Sequence, residues 1–415
     1  MTNLEEITRY AKSCINGEIP SGQKHKWACE RFLNDLNRVG DPDFPYIWDE
    51  ERADKIVKWF ALLHHSKGKL SGQPIRLTSW QKFRECQLYG WRHKDTGFKR
   101  FKKAFTEVGR KNAKSQMEAG EALNEISEQA TRNKETYEVY TAGTKRDQSK
   151  IVFNECDLMT RGTLLRTKFN FKRDEIIHIK SGSFIRALSK EDGKTGDGTN
   201  PACLILDEYH QHPTTDFYDL GLGSNTKEPM LSIITTAGKD LTYPCYTQEY
   251  DYCSKILDPN VDVQNDEYFV DICEDPGAIT TWQKANPIRA FYPEGIQKIA
   301  EDFEVAKQIP EKMIAFLTKV LNIWVSAVNN GYMDMKKWKA CEVKEVPIEL
   351  KGRPVYIGFD MSAKIDLTSV AFIVPYQIAE IDKSGRPIVR YYLWTHSFIP
   401  SMDRVREHIM KDKVP

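Results

Sequence analysis

The hydrophobic positions of the first 75 residues recur at intervals of three and four. The segments "NLEEITRYAKSCI" and "WACERFLNDLNRV" show this spacing, and "DEERADKIVKWFALLHH" shows it after an acidic start. Such spacing places apolar side chains on one face of a helix, and acidic residues suit a helix N-terminus because the helix dipole is positive there. Residues 1–75 are therefore predicted to be a mostly helical region.

After residue 75 the pattern changes to short apolar runs that end in glycine or polar residues. "FKKAFTEVG" and "ETYEVYTAG" are typical of strands that lead into loops, and the helical pattern "SQMEAGEALNEISEQA" lies between them. "PACLILDEYH" and "EPMLSIITTAG" contain continuous apolar runs, as expected for strands covered on both faces. This alternation indicates a parallel α/β sheet, which we place at residues 76–265.

The last third of the chain first returns to a helical pattern and then to a β pattern. "GIQKIAEDFEVAKQIPEKMIAFLTKVLNIWV" has helical spacing with a proline break, so residues 266–350 are predicted to form a helical linker subdomain. "KGRPVYIGFDMSAKIDLTSVAFIVPY" predicts a hairpin, and "RPIVRYYLWTHSFI" predicts a third strand. Residues 351–415 are thus predicted to begin a further domain.

Composition narrows the class of protein. The formal net charge is only +1, so any contact with nucleic acid has to come from local patches. The nine cysteines include no C-x-x-C pair, which predicts neither a zinc site nor a disulfide framework and favours a reducing compartment. The start "MTNLEEITRY" is unlike a signal peptide, and the longest apolar stretch is broken by Lys319, so we expect a soluble protein without a membrane span.

The segment "FTEVGRKNAKSQ" at residues 105–116 resembles a phosphate-binding loop. Lys114 and Ser115 stand where the pattern G-x-x-x-x-G-K-[ST] has its lysine and hydroxyl, but Val108 and Ala113 replace its two glycines. A strand is predicted before the loop and a helix after it, as required if backbone amides are to face a phosphate. The alternative is a basic turn at a helix start.

Two further strands end in residues that suit phosphate chemistry. "CLILDEYH" ends in Asp207 and Glu208; an aspartate at a strand tip can hold magnesium, and a following glutamate can polarise an attacking water. "SIITTAG" ends in Thr235 and Thr236, and ligands of parallel sheets lie at the carboxyl ends of strands. Solvated acids and the preference of threonine for strands are the plainer explanations.

In sequence order, the motifs resemble those of the large terminase subunit of tailed bacteriophages, in the HK97-like branch. They are "LTSWQKF", "VGRKNAKS", "YTAGTKRDQS", "CLILDEYH", "IITTAG" and "VYIGFDMSAKIDLTSVAFIV". The resemblance covers essentially residues 75–415. It implies a P-loop NTPase parallel sheet with flanking helices, then the helical linker and the beginning of an RNase H-like α/β nuclease domain. It also implies an ATPase that packages double-stranded DNA into a prohead and a metal-dependent endonuclease that cuts concatemers.

The resemblance also implies roles for individual residues of the ATPase. Glu208 and Lys114 would be catalytic, Asp207 and Ser115 would hold Mg²⁺, and Thr235 and Thr236 would couple hydrolysis to movement. The residues implied to bind ATP are Gln81, Arg110, Lys111, Asn112, Ala113, Lys114 and Ser115. For Gln81 the chemical reason is that a glutamine side chain can pair with adenine as donor and acceptor.

Family members complete the ATPase site with an arginine from a neighbouring subunit. Arg146 is our choice for this catalytic arginine, with Arg161 and Arg186 as competitors.

The implied nuclease site rests on Asp360 and Asp366. Both would be ligands of two divalent ions, Mg²⁺ or Mn²⁺, about 4 Å apart on the scissile phosphate. The later carboxylates of such a site should lie beyond residue 415. We therefore expect a fragment or a natural truncation with an incomplete nuclease site and an exposed sheet edge.

The partners implied by the resemblance are double-stranded DNA, the small terminase subunit and the portal protein of the prohead. The chain would form a homo-oligomeric ring when assembled, although a monomer in solution is compatible with this, and it would work in the host cytoplasm. "WRHKDTGFKRFKK" mixes basic and aromatic residues that suit DNA phosphates, although a solvated strand edge is the commoner explanation.

Two other functions are compatible with parts of the pattern. A helicase-like translocase would share the ATPase motifs but would leave the Asp360 segment without a role. A non-hydrolysing DNA-binding scaffold would follow if Ala113 marks a loop that has lost its function. Strand separation would favour the first alternative, and absence of ATP binding would favour the second.

Overall fold

The computed structural model describes residues 1–188, 199–276, 282–326, 335–343, 345–346, 348–361, 368–381 and 385–398. The chain divides into two compact units, Met1–Val328 and Asn329–Pro415. Among the described residues, no helix combines the length and the apolar character needed to cross a bilayer.

The first unit begins with the predicted helical region. Its elements are α1 (Asn3–Ile15), α2 (Gln23–Asn37), β1 (Tyr46–Trp48), α3 (Glu50–Phe60), α4 (Ser79–Gly90) and β2 (Trp91–His93), which pairs antiparallel with β1. Helix α1 begins where the sequence pattern begins because Thr2 and Glu5 cap each other: each side chain accepts the other residue's backbone N–H. Such a cap stabilises a helix by about 1 kcal/mol.

A large sheet follows, and helices lie between most of its strands. The elements in chain order are β3 (Lys103–Glu107), α5 (Lys114–Asn124), α6 (Ala130–Asn133), β4 (Glu138–Ala142), α7 (Arg146–Thr160), β5 (Phe169–Phe171), β6 (Ile176–His178), β7 (Phe184–Ala187), β8 (Pro201–Asp207), α8 (Asp216–Leu222), β9 (Met230–Thr235), α9 (Asp251–Leu257) and β10 (Tyr268–Ile272). Within the described residues the sheet has eight strands in the order β10-β3-β9-β8-β4-β7-β6-β5.

The strands from β10 to β7 run parallel, and β6 and β5 continue the sheet antiparallel. Every residue of β8 and β9 is buried. Cys203 and Ile205 belong to the core on one face of β8, whereas Leu204 and Leu206 belong to the core on the other. This explains the continuous apolar run of β8, because successive side chains of a strand point to opposite faces and both faces are covered.

The sheet departs from the sequence prediction in two ways. Strand β10 lies beyond residue 265, where we ended the core, so that boundary was placed too early. The reason is Asp271, a buried charge that interrupts the apolar run of β10 and is paired with His25 inside the protein. Helix α7 was not predicted. The strands β5 to β7 were not predicted either, because strands of three or four residues are too short to show a period.

The helical pattern after the sheet forms α10 (Pro293–Gln308) and α11 (Pro310–Lys319). The predicted proline break is confirmed: Pro310 is the first residue of α11, where its missing N–H costs no helical hydrogen bond. The helical prediction is wrong for the residues after Lys319. There Asn322 takes a left-handed conformation, and its side chain bonds the backbone of Ala237 and Cys273, so tertiary contacts override the local pattern.

The second unit contains α12 (Met335–Ala340), β11 (Tyr356–Asp360), β12 (Thr368–Ile381) and β13 (Pro387–Phe398). In the described residues its strands form an antiparallel sheet in the order β11-β12-β13. The predicted hairpin and third strand are confirmed.

Gly120 provides a test of how α5 is positioned. A Cβ added to Gly120 would lie 2.2 Å from Cε1 of Phe60, a fully buried ring on α3. Gly120→Ala should therefore lower the free energy of unfolding by about 1–3 kcal/mol, because overpacking outweighs the helix propensity of alanine. Urea unfolding measures this. The double variant with Phe60→Leu should recover part of the loss, and a single variant as stable as the wild type would contradict the proposed contact.

Candidate active site

Three neighbouring strand ends form the candidate site. Strand β9 lies between β3 and β8, with Thr235 opposite Glu107 and Ile234 opposite Asp207. Because the three strands are parallel, the loop after β3, the acids at the tip of β8 and the threonines at the tip of β9 lie at one edge of the sheet. The motifs picked out along the sequence are thus brought together by the fold.

The loop after β3 keeps the shape of a phosphate-binding loop without its usual glycines. Lys111 has φ 67° and Ala113 has φ 55°, both in the left-handed region that glycine favours. Gly109 is required for a different reason. A Cβ there would lie 2.8–2.9 Å from the Ala285 carbonyl oxygen, Asn286 Oδ1 and the Val320 carbonyl oxygen.

Asn112 holds the loop in place from inside. Its Nδ2 donates to the Gly109 carbonyl oxygen at 2.8 Å, and its Oδ1 accepts the backbone N–H groups of Ile288 and Arg289 at 3.0 and 2.9 Å. The side chain of Asn112 is therefore fully used within the protein. In the described part of the chain, the backbone amides of residues 111–113 have no acceptor, so these amides can bind a phosphate.

Lys114 and Ser115 open α5 directly behind the loop. The buried Lys114 ammonium donates to the carbonyl oxygens of Val108 and Gly109 at 3.2 and 3.5 Å. Burial lowers the pKa of Lys114, while the charges of Glu208 and Asp207 oppose this change. Arg110 and Lys111 are exposed at the outer side of the loop. The site therefore combines one buried ammonium with an exposed basic rim.

The two acids at the tip of β8 lie in different environments. Asp207 is buried, and burial followed by the neighbouring Glu208 raises its pKa to about 7. Burial also acts to raise the pKa of Glu208, but the hydrogen bond with His210 and the charge of Lys114 hold it well below its usual value. Glu208 is thus the carboxylate that stays ionised, and its left-handed backbone (φ 52°) turns it away from the strand.

The threonines at the tip of β9 contact this carboxylate directly and through His210. Thr236 Oγ1 donates to Glu208 Oε2 at 3.3 Å. Thr235 Oγ1 accepts the backbone N–H of His210 at 3.1 Å, and His210 Nδ1 lies 3.1 Å from Glu208 Oε2. Movement of the tip of β9 would therefore move the partners of Glu208.

Lys319, which the sequence analysis treated only as an interruption of an apolar stretch, reaches the same group. Its Nζ donates to Thr236 Oγ1 at 3.1 Å, to the Ala237 carbonyl oxygen at 3.3 Å and to His210 Nε2. Because Nε2 accepts, the proton of the neutral imidazole is on Nδ1, facing Glu208. Burial lowers the pKa of Lys319 to about 8 against the opposing charge of Glu208. No local sequence signal marks Lys319 or His210, since the contact depends on how the end of α11 folds back.

Two more buried acids adjoin the site. Glu107, the last residue of β3, accepts hydrogen bonds from Trp324 Nε1 and Asn322 Nδ2, and burial followed by Glu274 raises its pKa to about 8. Burial and then Asp207 raise the pKa of Glu118 well above its usual value, and in the described part of the chain neither of its carboxyl oxygens has a hydrogen-bond partner. Sequence patterns missed both, since each lies in a run that predicts only a strand or a helix.

Gln81 has a structural role at the start of α4. Its Oε1 accepts the backbone N–H of Thr78 at 3.0 Å, and Thr78 Oγ1 accepts the backbone N–H of Gln81. This capping box occupies the acceptor that would pair with adenine. A cavity of about 200 Å³ lies nearby, with Thr78, Trp80 and Asn286 among its lining residues.

The three candidate arginines are all exposed and paired in this chain. Arg146 lies 3.4 Å from Asp174, Arg161 pairs with Asp157, and Arg186 pairs with Glu175. Arg146 begins α7 at the edge of the sheet that carries the site, whereas Arg161 follows the other end of α7. Gln148, also in the first turn of α7, donates to Gln211 in the turn after Glu208. Arg146, unlike Arg161, thus lies at the edge of the sheet that carries the site.

Three cations of the basic segment before β3 are internal, whereas Lys94 and Lys102 are exposed. Arg92 pairs with Glu228, Lys99 pairs with Glu125, and Arg100 pairs with Asp35 and Asp266, all as buried cations. The DNA-contact interpretation and the solvated-edge interpretation are both wrong for these three residues. Buried acids supplied by distant segments, which the local sequence does not show, balance their charges.

Of the two acids of the second unit, Asp360 lies at the end of β11, opposite Ser369 on β12, and is exposed. Asp366 lies outside the described residues.

Two family models match this chain. One describes the ATPase domain of the terminase large subunit and matches residues 79–255, and the other describes its endonuclease domain and matches residues 262–413. The chain belongs to the terminase large subunit family. The branch predicted from the motifs agrees with a similarity to the large terminase subunit of Enterobacteria phage HK97, which is 29% identical over 342 residues.

The relatives of this terminase large subunit chain are longer than the matched region. The HK97 alignment covers 77% of this chain and 61% of the relative. Protein YmfN of Escherichia coli (strain K12) is 32% identical over 206 residues, covering 46% of this chain and 43% of that protein. The crystal structure of the HK97 bacteriophage large terminase shares the fold, with a TM-score of 0.53 and 22% identity over 88% of this chain and 71% of that chain.

The left-handed alanine of this terminase loop can be tested directly. Ala113→Gly should raise the free energy of unfolding by about 0.5–1 kcal/mol, because glycine removes the Cβ strain at positive φ and loses part of that gain through its flexible unfolded state. Urea unfolding is the measurement. Ala122→Gly, at a buried and regular position of α5, is the matched control and should destabilise by about 1 kcal/mol or more. Equal losses in both variants would contradict the strained loop.

Proposed function

We propose that this chain is the ATP-hydrolysing motor subunit that moves double-stranded DNA into a prohead, with endonuclease chemistry in the complete protein. Residues 1–75, 76–265, 266–350 and 351–415 would be the helical part of the ATPase domain, its core, the linker and the first nuclease strands, with β10 added to the core. One observation carries the proposal: Glu208 is ionised and partnered at the strand edge that also presents Lys114, Asp207 and the phosphate-binding loop.

Glu208 is suited to orient the attacking water as an ionised hydrogen-bond acceptor. Its lowered pKa means that it accepts a hydrogen bond from water at neutral pH, and its partners fix the direction of its carboxylate. Lys114, with the unpaired amides of the loop, would bind the β- and γ-phosphates of ATP. An arginine from a neighbouring subunit, for which Arg146 is our candidate, would stabilise the charge that develops during transfer.

The donor set of the site fits magnesium. Asp207 and Ser115 offer a carboxylate and a hydroxyl oxygen, which are the hard ligands that this ion prefers, and the buried Glu118 adds negative charge nearby. The bound ion supplies positive charge to the phosphates. Displacement of the proton that Asp207 holds near pH 7 would accompany its binding.

Lys319 offers a route from hydrolysis to movement. It lies at the end of α11, and its ammonium connects that helix to Thr236 and, through His210, to Glu208. A change of charge at the γ-phosphate would alter how strongly Glu208 attracts the positive groups around it. The hydrogen bonds of Lys319, and with them the position of α11, would change as a result. This is consistent with the coupling role proposed for Thr235 and Thr236.

The proposed motor also needs a site for the adenine base, a nuclease site and partner proteins. The cavity beside Thr78 and Trp80 would take the adenine base, with Gln81 shaping it through the cap of α4. Asp360 and Asp366 would contribute to a two-ion nuclease site using Mg²⁺ or Mn²⁺. The small terminase subunit, the portal protein and further copies of this chain in a ring, in the host cytoplasm, are the proposed partners.

Magnesium-dependent ATP hydrolysis tests this function. Glu208→Gln should reduce kcat by about 10²–10⁴-fold while calorimetry still detects ATP binding, because the carboxylate that orients the water is lost and the phosphate contacts remain. Glu304→Gln, an exposed position on α10, is the matched control and should keep the wild-type rate. Duplex DNA should stimulate turnover in a salt-sensitive way. A wild type that neither hydrolyses nor binds ATP would contradict the assignment.

The pH dependence of turnover tests Lys319. Its lowered pKa means that the ammonium is present below pH 8 and is lost as the pH rises through about 8, so wild-type turnover should fall there. Lys319→Met should lower kcat by about 10- to 100-fold at pH 7, since a charge-assisted hydrogen bond contributes about 1.5–3 kcal/mol. Lys319→Arg, which stays charged, should keep activity to higher pH. The same alkaline limb in Lys319→Arg would show that another group titrates.

A further inference from the structure

A second group of reactive side chains lies inside the first unit, and the ATPase chemistry does not use it. Cys14 is on α1, and His25 and Cys29 lie four residues apart on one face of α2. All three are buried, and their ligand atoms lie within 4.8 Å of one another. The spacing along the chain does not reveal this group, because the first thiol and the other two residues come from different helices.

The distances between the donor atoms match those found around a bound soft cation. His25 Nε2 lies 3.8 Å from Cys14 Sγ and 3.7 Å from Cys29 Sγ. In a tetrahedral zinc site, Zn–S bonds of about 2.3 Å and Zn–N bonds of about 2.0–2.1 Å place sulfur and nitrogen about 3.5–3.6 Å apart. The Tyr10 hydroxyl oxygen, 3.0 Å from the same nitrogen, is in place as a fourth donor.

The other imidazole nitrogen of His25, Nδ1, contacts a carboxylate, as is usual for histidines that ligate a metal. His25 Nδ1 lies 2.6 Å from Asp271 Oδ1, and Asp271 Oδ2 accepts the indole N–H of Trp80 at 2.9 Å. A histidine that ligates a metal usually donates its second N–H to a carboxylate, which fixes the ring and directs the free lone pair at the ion. If His25 Nδ1–H donates to Asp271 in the same way, the Nε2 lone pair would be directed at the two thiols.

An ordinary hydrogen-bonded core explains the group less well. In either protonation state the Nε2 atom of His25 makes only one good hydrogen bond, as donor or as acceptor, yet two thiols and one phenol converge on it. A divalent cation accommodates all of them. With two thiolates and a neutral imidazole, the charge of the complex is zero, which suits an apolar core.

We propose that Cys14, His25 and Cys29, with the Tyr10 hydroxyl as fourth donor, bind zinc as a structural site. The site would join α1 to α2 and, through Asp271, join both helices to β10. Tyr10 and His25 also line the cavity proposed for adenine, but the two proposals are tested separately, since the readout here is metal content and stability and not ATP hydrolysis.

The metal content of the purified chain tests the proposal. The wild type should contain zinc in a stoichiometric amount, and exchange with Co²⁺ should produce the absorption of a cobalt–thiolate complex. Cys14→Ser and Cys29→Ser should lose most of the metal. Cys253→Ser is the matched control, because Cys253 is equally buried in the core on the other face of the sheet and should leave the metal content unchanged.

Stability provides a second readout. A strong chelator should lower the Tm of the wild type, and added zinc should restore it, whereas the Tm of Cys29→Ser should not respond to either. If the serine variants do not fold, the cobalt spectrum of the wild type decides the question. A wild type without zinc and without a cobalt–thiolate band on titration overturns the proposal, as does a Cys14–Cys29 disulfide found by mass analysis without reductant.

Discussion

The hydrogen bonds of β9 to β3 on one side and to β8 on the other are the constraint on which the candidate site depends. They place Thr235 opposite Glu107 and Ile234 opposite Asp207, so that the phosphate-binding loop, the two acids and the two threonines meet at one edge. Both faces of β8 and β9 are buried, so a slip of register by one residue would move each side chain into the opposite core and disrupt the packing of both. The chemistry at the strand tips is thus positioned by the core beneath it.

A second layer of buried polar contacts closes the site from the side of α10 and α11. Asn112 bonds the loop to residues 286–289, Asn322 bonds the tip of β9, and Lys319 adds a half-buried cation near Glu208. Removing one partner of such a group leaves a buried polar atom unsatisfied, which costs more than the bond itself contributes. Small movements of α11 are therefore expressed as changes in the surroundings of Glu208.

Much of this could be predicted from the sequence, because the strands at the centre of the sheet are long apolar runs and the motifs follow them directly. The loop, Asp207, Glu208, Thr235 and Thr236 were found for that reason. The residues that were not predicted make contacts with segments that are distant in the sequence. They are the residues that close the site, namely Glu107, Glu118, His210, Lys319 and Asn322, and the buried cations of the segment before β3. Local pattern gives no information on which acid a buried arginine meets.

Strand β10 connects the site to the thiol–histidine group of the N-terminal helices. Its Asp271 orients His25, and the next residues leave the strand with the Cys273 N–H bound to the Glu107 carbonyl oxygen, immediately before the phosphate-binding loop. A cation that fixes α1 and α2 against Asp271 would therefore also restrict β10 beside β3. Because β3 has β10 on one side and β9 on the other, the position of the loop depends on both neighbours, and the N-terminal helices contribute to the site without touching it.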